Sequence, residues 1–310
     1  MKKLLLCLLV LALLLPLAAC GEQKSDSGKL QIVASAFPEY DLTRAVAGDR
    51  AEVSLLLKPG TEAHSYEPTP QDILSLHAAA LFVYGGGESD VWADLLLDGG
   101  ELGSLQTLKL MDYALLREEE TPEYMTVSET EEEEETYDEH VWTSPLNAMR
   151  IVEGIRDSLC AIDPEGTDAY QANAEAYLAK LTELDGRFRQ MAADSERSLL
   201  LFGDRFPFLY LTREYGLQYA AAFPGCSGDT DANPATVAYL IDMATTEGLP
   251  VVFKCDLSAG KLADTIAEAC GAKVLTLYSA HTVSKADFEA GETYLSLMER
   301  NLDALREALN

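Results

Sequence analysis

This chain is poor in histidine and in positive charge. Its 310 residues include 4 histidines, and 23 Lys and Arg stand against 52 Asp and Glu, for a formal net charge of −29. Such a surface repels nucleic acid and anionic lipid and attracts cations. The 6 cysteines form no CxxC pair, which argues against a cysteine zinc cluster. Neither HExxH nor an HxH pair occurs, so the common metallopeptidase signature is missing. Gly85-Gly86-Gly87 has neither GxxxxGKS/T nor GxGxxG spacing and reads as a strand-to-helix turn, not a phosphate loop. The long apolar run is residues 4–15, too short to span a bilayer.

That run is flanked by Lys2 and Lys3 before it and by small residues after it, the layout of a secretory signal. Leu17-Ala18-Ala19-Cys20 reads as a lipobox, in which the cysteine becomes the new N-terminus and carries lipid. The expected division is a signal peptide over residues 1–19, then lipidated Cys20 and a polar tether to residue 28, then a domain held outside the cytoplasm by acyl chains. An ordinary cleaved signal with an incidental cysteine is the alternative. Outside the cytoplasm a disulfide is permitted, with Cys226 and Cys255 the favoured pair; Cys160 and Cys270 read as thiols.

Short apolar, β-branched runs alternate with helical patterns. Strands are expected at residues 30–35, 51–57, 81–84 and 105–110, and again at 198–202, 219–223, 251–253 and 274–278. Between the sets, residues 167–193 carry Tyr170, Ala174, Tyr177, Leu181, Leu184 and Phe188 at three- and four-residue spacing, one long amphipathic helix. A helix is also expected from Phe206 and another over residues 288–309. The pattern predicts an α/β fold. It has two lobes, each with a mainly parallel sheet flanked by helices, joined by one long rigid helix. The boundaries fall at 29–161 for the N-terminal lobe, 162–194 for the linker helix and 195–310 for the C-terminal lobe.

Three of the histidines, His64, His140 and His281, fall in loops that follow strands or precede helices, and Asp204 occupies the same kind of place after residues 198–202. Ligand sites in open α/β sheets lie beyond the carboxyl ends of strands, so two facing sheets would bring these loops together. Three imidazoles and a carboxylate suit Zn2+ well and Mn2+ or Fe2+ less well. Each has a plainer reading: a loop hydrogen bond for His64, a solvated side chain for His140, a helix cap for His281 or Asp204. His77, on a helix, reads as structural. Immediately before His140, residues 118–139 hold twelve carboxylates, a solvated loop that could also gather cations.

Several stretches together resemble a known family. They are Gly60-Thr61-Glu62-Ala63-His64-Ser65-Tyr66-Glu67-Pro68, Asp138-Glu139-His140-Val141-Trp142-Thr143-Ser144-Pro145, the Tyr170, Asn173, Ala174 and Tyr177 set, and Tyr294, Met298 and Asn301. The chain is similar over essentially its whole mature length to the zinc/manganese-type (cluster A-I) substrate-binding lipoproteins of bacterial metal ABC transporters, the zinc branch in particular. The resemblance implies one metal at the lobe interface, delivered to a membrane permease that works with a cytoplasmic ATPase. It implies a monomer and no enzymatic activity. The third family ligand carries over to Asp204, and His281 stands one place beyond the usual late aspartate, which makes the site more nitrogen-rich and favours zinc. Two alternatives are a surface-anchored zinc metallohydrolase using the same residues with an open metal position, and a Mn2+-specific binding protein or adhesin of the same fold.

Overall fold

The computed structural model describes residues 28–100, 102, 103, 105–125, 136–225 and 233–310; the signal segment, Cys20, Cys226 and the middle of the acidic run lie outside the described residues. The first lobe is built on β1 (Leu30–Ala34), β2 (Ala51–Leu55), β3 (Leu81–Tyr84) and β4 (Gln106–Lys109). All pairings are parallel, in the order β2-β1-β3-β4. Parallel sheets are covered on both faces, which is why β3 reads Leu-Phe-Val-Tyr with every residue buried. The helices α1 (Phe37–Ala47), α2 (Pro70–Ala78) and α3 (Val91–Asp98) supply the cover. Pro70 at the first turn of α2 and a capping box between Thr69 and Asp72 start that helix at a fixed place.

From the first lobe the chain enters α4 (Pro145–Ile162) and then the 28-residue α5 (Thr167–Asp194). At 1.5 Å per residue α5 is roughly 42 Å long. Its buried stripe, Tyr170, Ala174, Tyr177, Leu181, Leu184, Phe188 and Met191, follows the helical period. The second lobe repeats the first. Strands β5 (Leu199–Phe202), β6 (Gln218–Ala221), β7 (Val251–Cys255) and β8 (Lys273–Leu277) pair in parallel in the order β6-β5-β7-β8. Helices α6 (Leu209–Tyr215), α7 (Pro234–Thr246), α8 (Lys261–Cys270), α9 (Lys285–Ala290) and α10 (Tyr294–Leu309) surround it.

Two expected elements differ. The helix expected from Phe206 begins at Leu209, because Pro207 disfavours helical geometry at the residue before it. The single C-terminal helix is two: Gly291 adopts φ 78°, a left-handed conformation that ends α9, and Thr293 with Ser296 caps α10 afresh. Cys255 is a free buried thiol and so is not paired; its expected partner Cys226 lies outside the described residues.

One buried cluster runs from Ile32 and Val83 through Tyr177 and Phe188 to Leu200 and Phe253, so the lobes and α5 share a core. Polar ties reinforce it. Tyr294 N donates to Asp41 Oδ2 at 2.8 Å, Tyr294 Oη to the Trp142 carbonyl at 2.6 Å, and Trp142 Nε1 to the Ser279 carbonyl at 2.8 Å. The carboxyl ends of the strands of both sheets point toward this seam.

Candidate metal centre

Four side chains meet at the seam. Donor atoms of His64, Glu139, His140 and His281 all lie within 4.8 Å of one another. His64 sits on a short helical turn, Ala63–Ser65, reached from the end of β2, and His281 follows β8. Glu139 and His140 end the acidic run and lead into the turn Val141–Thr143 ahead of α4. The imidazole centroids are 5.4 Å apart for His64–His281 and His140–His281, and 6.0 Å for His64–His140.

Neighbouring residues in extended chain point to opposite sides, so the joint presence of Glu139 and His140 needs a backbone cause. It is an inverse γ-turn: His140 has φ −77° and ψ 44°, and Val141 N donates to the Glu139 carbonyl at 2.8 Å. The two ends of the run that feeds this turn are clasped together, Glu119 N to Thr136 O at 2.8 Å and Asp138 N to Arg117 O at 3.0 Å. Across the seam, Ala280 is held at φ 57°, unusual for a residue with a Cβ, and it turns His281 inward. Such strain costs on the order of 1 kcal/mol and concentrates at functional sites.

Second partners orient the donors. Asp138 Oδ1 lies 3.1 Å from His140 Nδ1 and accepts from the His140 amide at 2.7 Å, which leaves His140 Nε2 as the free donor atom. Ser89 Oγ donates to Glu139 Oε1 at 2.5 Å and stands 2.9 Å from His64 Nδ1, while the Ser89 amide donates to Glu139 Oε2 at 2.8 Å. With the hydroxyl proton on Glu139, Ser89 accepts from His64 Nδ1–H and frees His64 Nε2 in turn. Trp142 packs against the His140 and His281 rings at 5.6 and 4.9 Å.

Burial sets the charge states. It pushes His64 down to about 4, helped by neighbouring His140, and holds His281 well below the ordinary imidazole value. His140 is equally buried, but Asp138 outweighs that and holds it above the ordinary value. Burial raises Glu139 to about 7. At neutral pH the pocket therefore presents two neutral imidazoles, His64 and His281, a His140 that keeps its proton more readily, and a half-ionised carboxyl; a divalent cation would displace the His140 proton and ionise Glu139 fully.

Asp204, expected as the fourth donor, is not in this cluster. Its Oδ1 accepts from the Arg205 amide at 2.9 Å and its Oδ2 from the Cys255 amide at 3.1 Å. It does not cap α6 either, whose N-cap is Phe208. The carboxylate in the cluster is Glu139, which composition hid inside a run of acids. Its signal was position: the last acid of the run, directly against His140. His77 is exposed on α2, outside the cluster.

Comparison with known proteins points the same way. Residues 32–308 match the family described as ZnuA, zinc-uptake complex component A, periplasmic. The zinc-binding lipoprotein AdcA of Streptococcus pneumoniae (strain ATCC BAA-255 / R6) is 34% identical over 310 residues, spanning 99% of this chain and 61% of AdcA. The chain thus covers about three fifths of the length of that relative. The high-affinity zinc uptake system protein ZnuA of Bacillus subtilis (strain 168) is 31% identical over 309 residues, 97% of this chain and 96% of that protein. The crystal structure of the Zn(II)-bound ZnuA-like domain of S. pneumoniae AdcA has a TM-score of 0.74 and 32% identity, covering 91% of this chain and 99% of that domain.

Proposed function

The chain belongs to the zinc-uptake complex component A (ZnuA) family, and from that premise we propose that it captures Zn2+ outside the cytoplasm and delivers it to an ABC permease for import. The ion is cargo, held by His64, His140, His281 and Glu139. The observation that carries this reading is the convergence of three imidazoles and one carboxyl within 4.8 Å at the lobe seam. Three nitrogen donors favour Zn2+ over Mn2+. Four protein donors complete a tetrahedral shell, whereas a hydrolase keeps one position open for water, so the site suits a carrier. We take the chain to be a monomer of two lobes, 29–161 and 195–310, with residues 162–194 as linker. Cys20 would anchor it by lipid to the outer face of the membrane, beside the permease and its cytoplasmic ATPase. Asp204 is a structural carboxylate in this scheme.

Chelator competition on the full mature chain tests the assignment. Glu139→Ala should weaken zinc binding by more than about tenfold, at or beyond the range seen when a residue supporting a metal ligand is lost, and Asp204→Ala should stay near wild type. The opposite ranking, or a wild-type preference for Mn2+, would sink it.

A further inference from the structure

An ion pair between the lobes lines the metal pocket. Glu62 lies just beyond β2 in the first lobe and Arg205 just beyond β5 in the second, with Arg205 Nη2 2.8 Å from Glu62 Oε2. Both line the same small cavity as His64, His140 and His281. That cavity measures about 30 Å³, room for one or two water molecules, so the ion pair lies close beside any ion held by the histidines. Two backbone contacts flank the pair, Gly60 N to Val283 O at 2.8 Å and Phe37 N to His281 O at 3.4 Å. The ion pair is the exposed member of this seam, with side chains 26% accessible for Arg205 and 45% for Glu62. It is therefore the contact a docking partner could break first.

We propose that Glu62 and Arg205 form an ionic latch that holds the lobes closed over bound Zn2+ and sets how fast the ion leaves. The proposal rests on the ligand set above. A competing reading treats Arg205 simply as a positive charge near the site. Its field does reach the histidines, since it contributes to holding His64 and His281 below their ordinary values. A bare positive charge repels a divalent cation, so on that reading its removal would slow release. As a latch, its removal speeds release. The two readings differ in sign.

The experiment is stopped-flow transfer of Zn2+ from the loaded full chain to excess chelator. Arg205→Gln and Glu62→Gln should each speed release about two- to fivefold, the scale of an accessible ion pair. The charge-swapped double variant E62R/R205E should return to within about twofold of wild type, a rescue that a general packing defect would not show. Wild-type release should quicken with added salt, and release from the single variants should not. An unchanged or slower rate in Arg205→Gln, or no rescue by the swap, overturns the latch. Failure of the ligand set reads differently: the absorption of Co2+ bound to wild type would then lack the tetrahedral signature. That signature should be the same in wild type and Arg205→Gln if the latch alone is altered.

Discussion

In the first lobe the loop after β3 carries Asp90, whose Oδ2 accepts from the amides of Gly85 and Gly86 at 2.8 and 3.2 Å and from Ser35 Oγ at 3.2 Å. In the second lobe the loop after β5 carries Asp204, whose Oδ2 accepts from the Cys255 amide at the end of β7. Each buried carboxylate ties together the carboxyl ends of the two central strands of its sheet. The same topology thus uses the same device twice, once from each side of the tie. A carboxylate bonded to backbone amides this way acts as a strut, since its loss would leave buried N–H groups unpaired. The lobes differ in what surrounds the strut. Around Asp90 the first lobe presents His64, Glu139 and His140 together with Ser89 and Asp138, whereas the second contributes His281 alone to the cluster.

That asymmetry makes its strongest prediction for single ligands. His140→Ala should lower zinc affinity by more than about a hundredfold, beyond the range for loss of an orienting residue. His281→Ala should cost less, because three first-lobe residues, His64, Glu139 and His140, persist. Isothermal titration of the two variants under the same buffer and salt decides it. If His281→Ala proves the more damaging, the first lobe is not the main holder of the ion and the comparison fails.

The struts give the next effect. Asp90→Ala and Asp204→Ala each leave buried amides without an acceptor and should lower stability by about 1–3 kcal/mol, read from urea unfolding of the ion-free chain. Their effects on zinc should separate. Asp90 is followed back along the chain by Ser89, which holds Glu139, so Asp90→Ala should also weaken binding; Asp204→Ala should lower stability with zinc affinity almost intact. Tight binding lost with stability unchanged in Asp204→Ala would return that residue to the role its position suggested.

Much of this was legible in the residues. Apolar runs of strand length between helical patterns gave both parallel sheets, and the spacing from Tyr170 to Phe188 gave α5. His64, His140 and His281 stood out because histidine is scarce and each falls beside a strand end. What could not be read was where Asp204 sends its lone pairs. A loop aspartate after a strand looks the same whether it accepts from Cys255, fifty-one positions away, or binds a cation. Nor did the sequence show the γ-turn at His140, which depends on φ and ψ values that Asp138-Glu139-His140 does not announce. Counting acids hid Glu139 for the same reason: the other described carboxylates of the run lie outside the cluster, and only geometry separates the one that belongs to it. The kink at Gly291 was written in the chain, but the helical periodicity on either side of it masked the break.

The smallest predicted effect concerns protons, and it too divides the lobes. In the ion-free protein burial raises Glu139 to about 7, Asp90 to about 6 and Glu39 well above the ordinary carboxyl value, and Asp138 holds His140 up despite burial. All four belong to the first lobe; the second offers Asp256, raised by burial to about 6. A group raised on folding binds more protons in the folded chain, so the stability it contributes is complete at low pH and is lost as pH rises through its folded value. His64 and His281 work the other way. Burial depresses them, the unfolded chain binds more protons, and their effect makes stability rise with pH up to about 6.5. Below that the two sets oppose each other. From pH 6.5 to 8 the unfolded histidines shed their remaining protons, which offsets much of the loss from the raised groups, so the Glu139 contribution is read as the difference between wild type and Glu139→Gln. For Glu139 the loss is on the order of 1 kcal/mol, about 2–4 °C in melting temperature for a chain of this size. Scanning calorimetry of the ion-free wild type and Glu139→Gln at pH 6.5 and 8 measures it as the difference between their slopes, with stability in Glu139→Gln rising more, or falling less, with pH. A slope that Glu139→Gln leaves untouched would place the controlling protons outside the first-lobe cluster. Zinc should shift the slope in the same direction as Glu139→Gln, because a bound cation holds Glu139 ionised at both ends of the window.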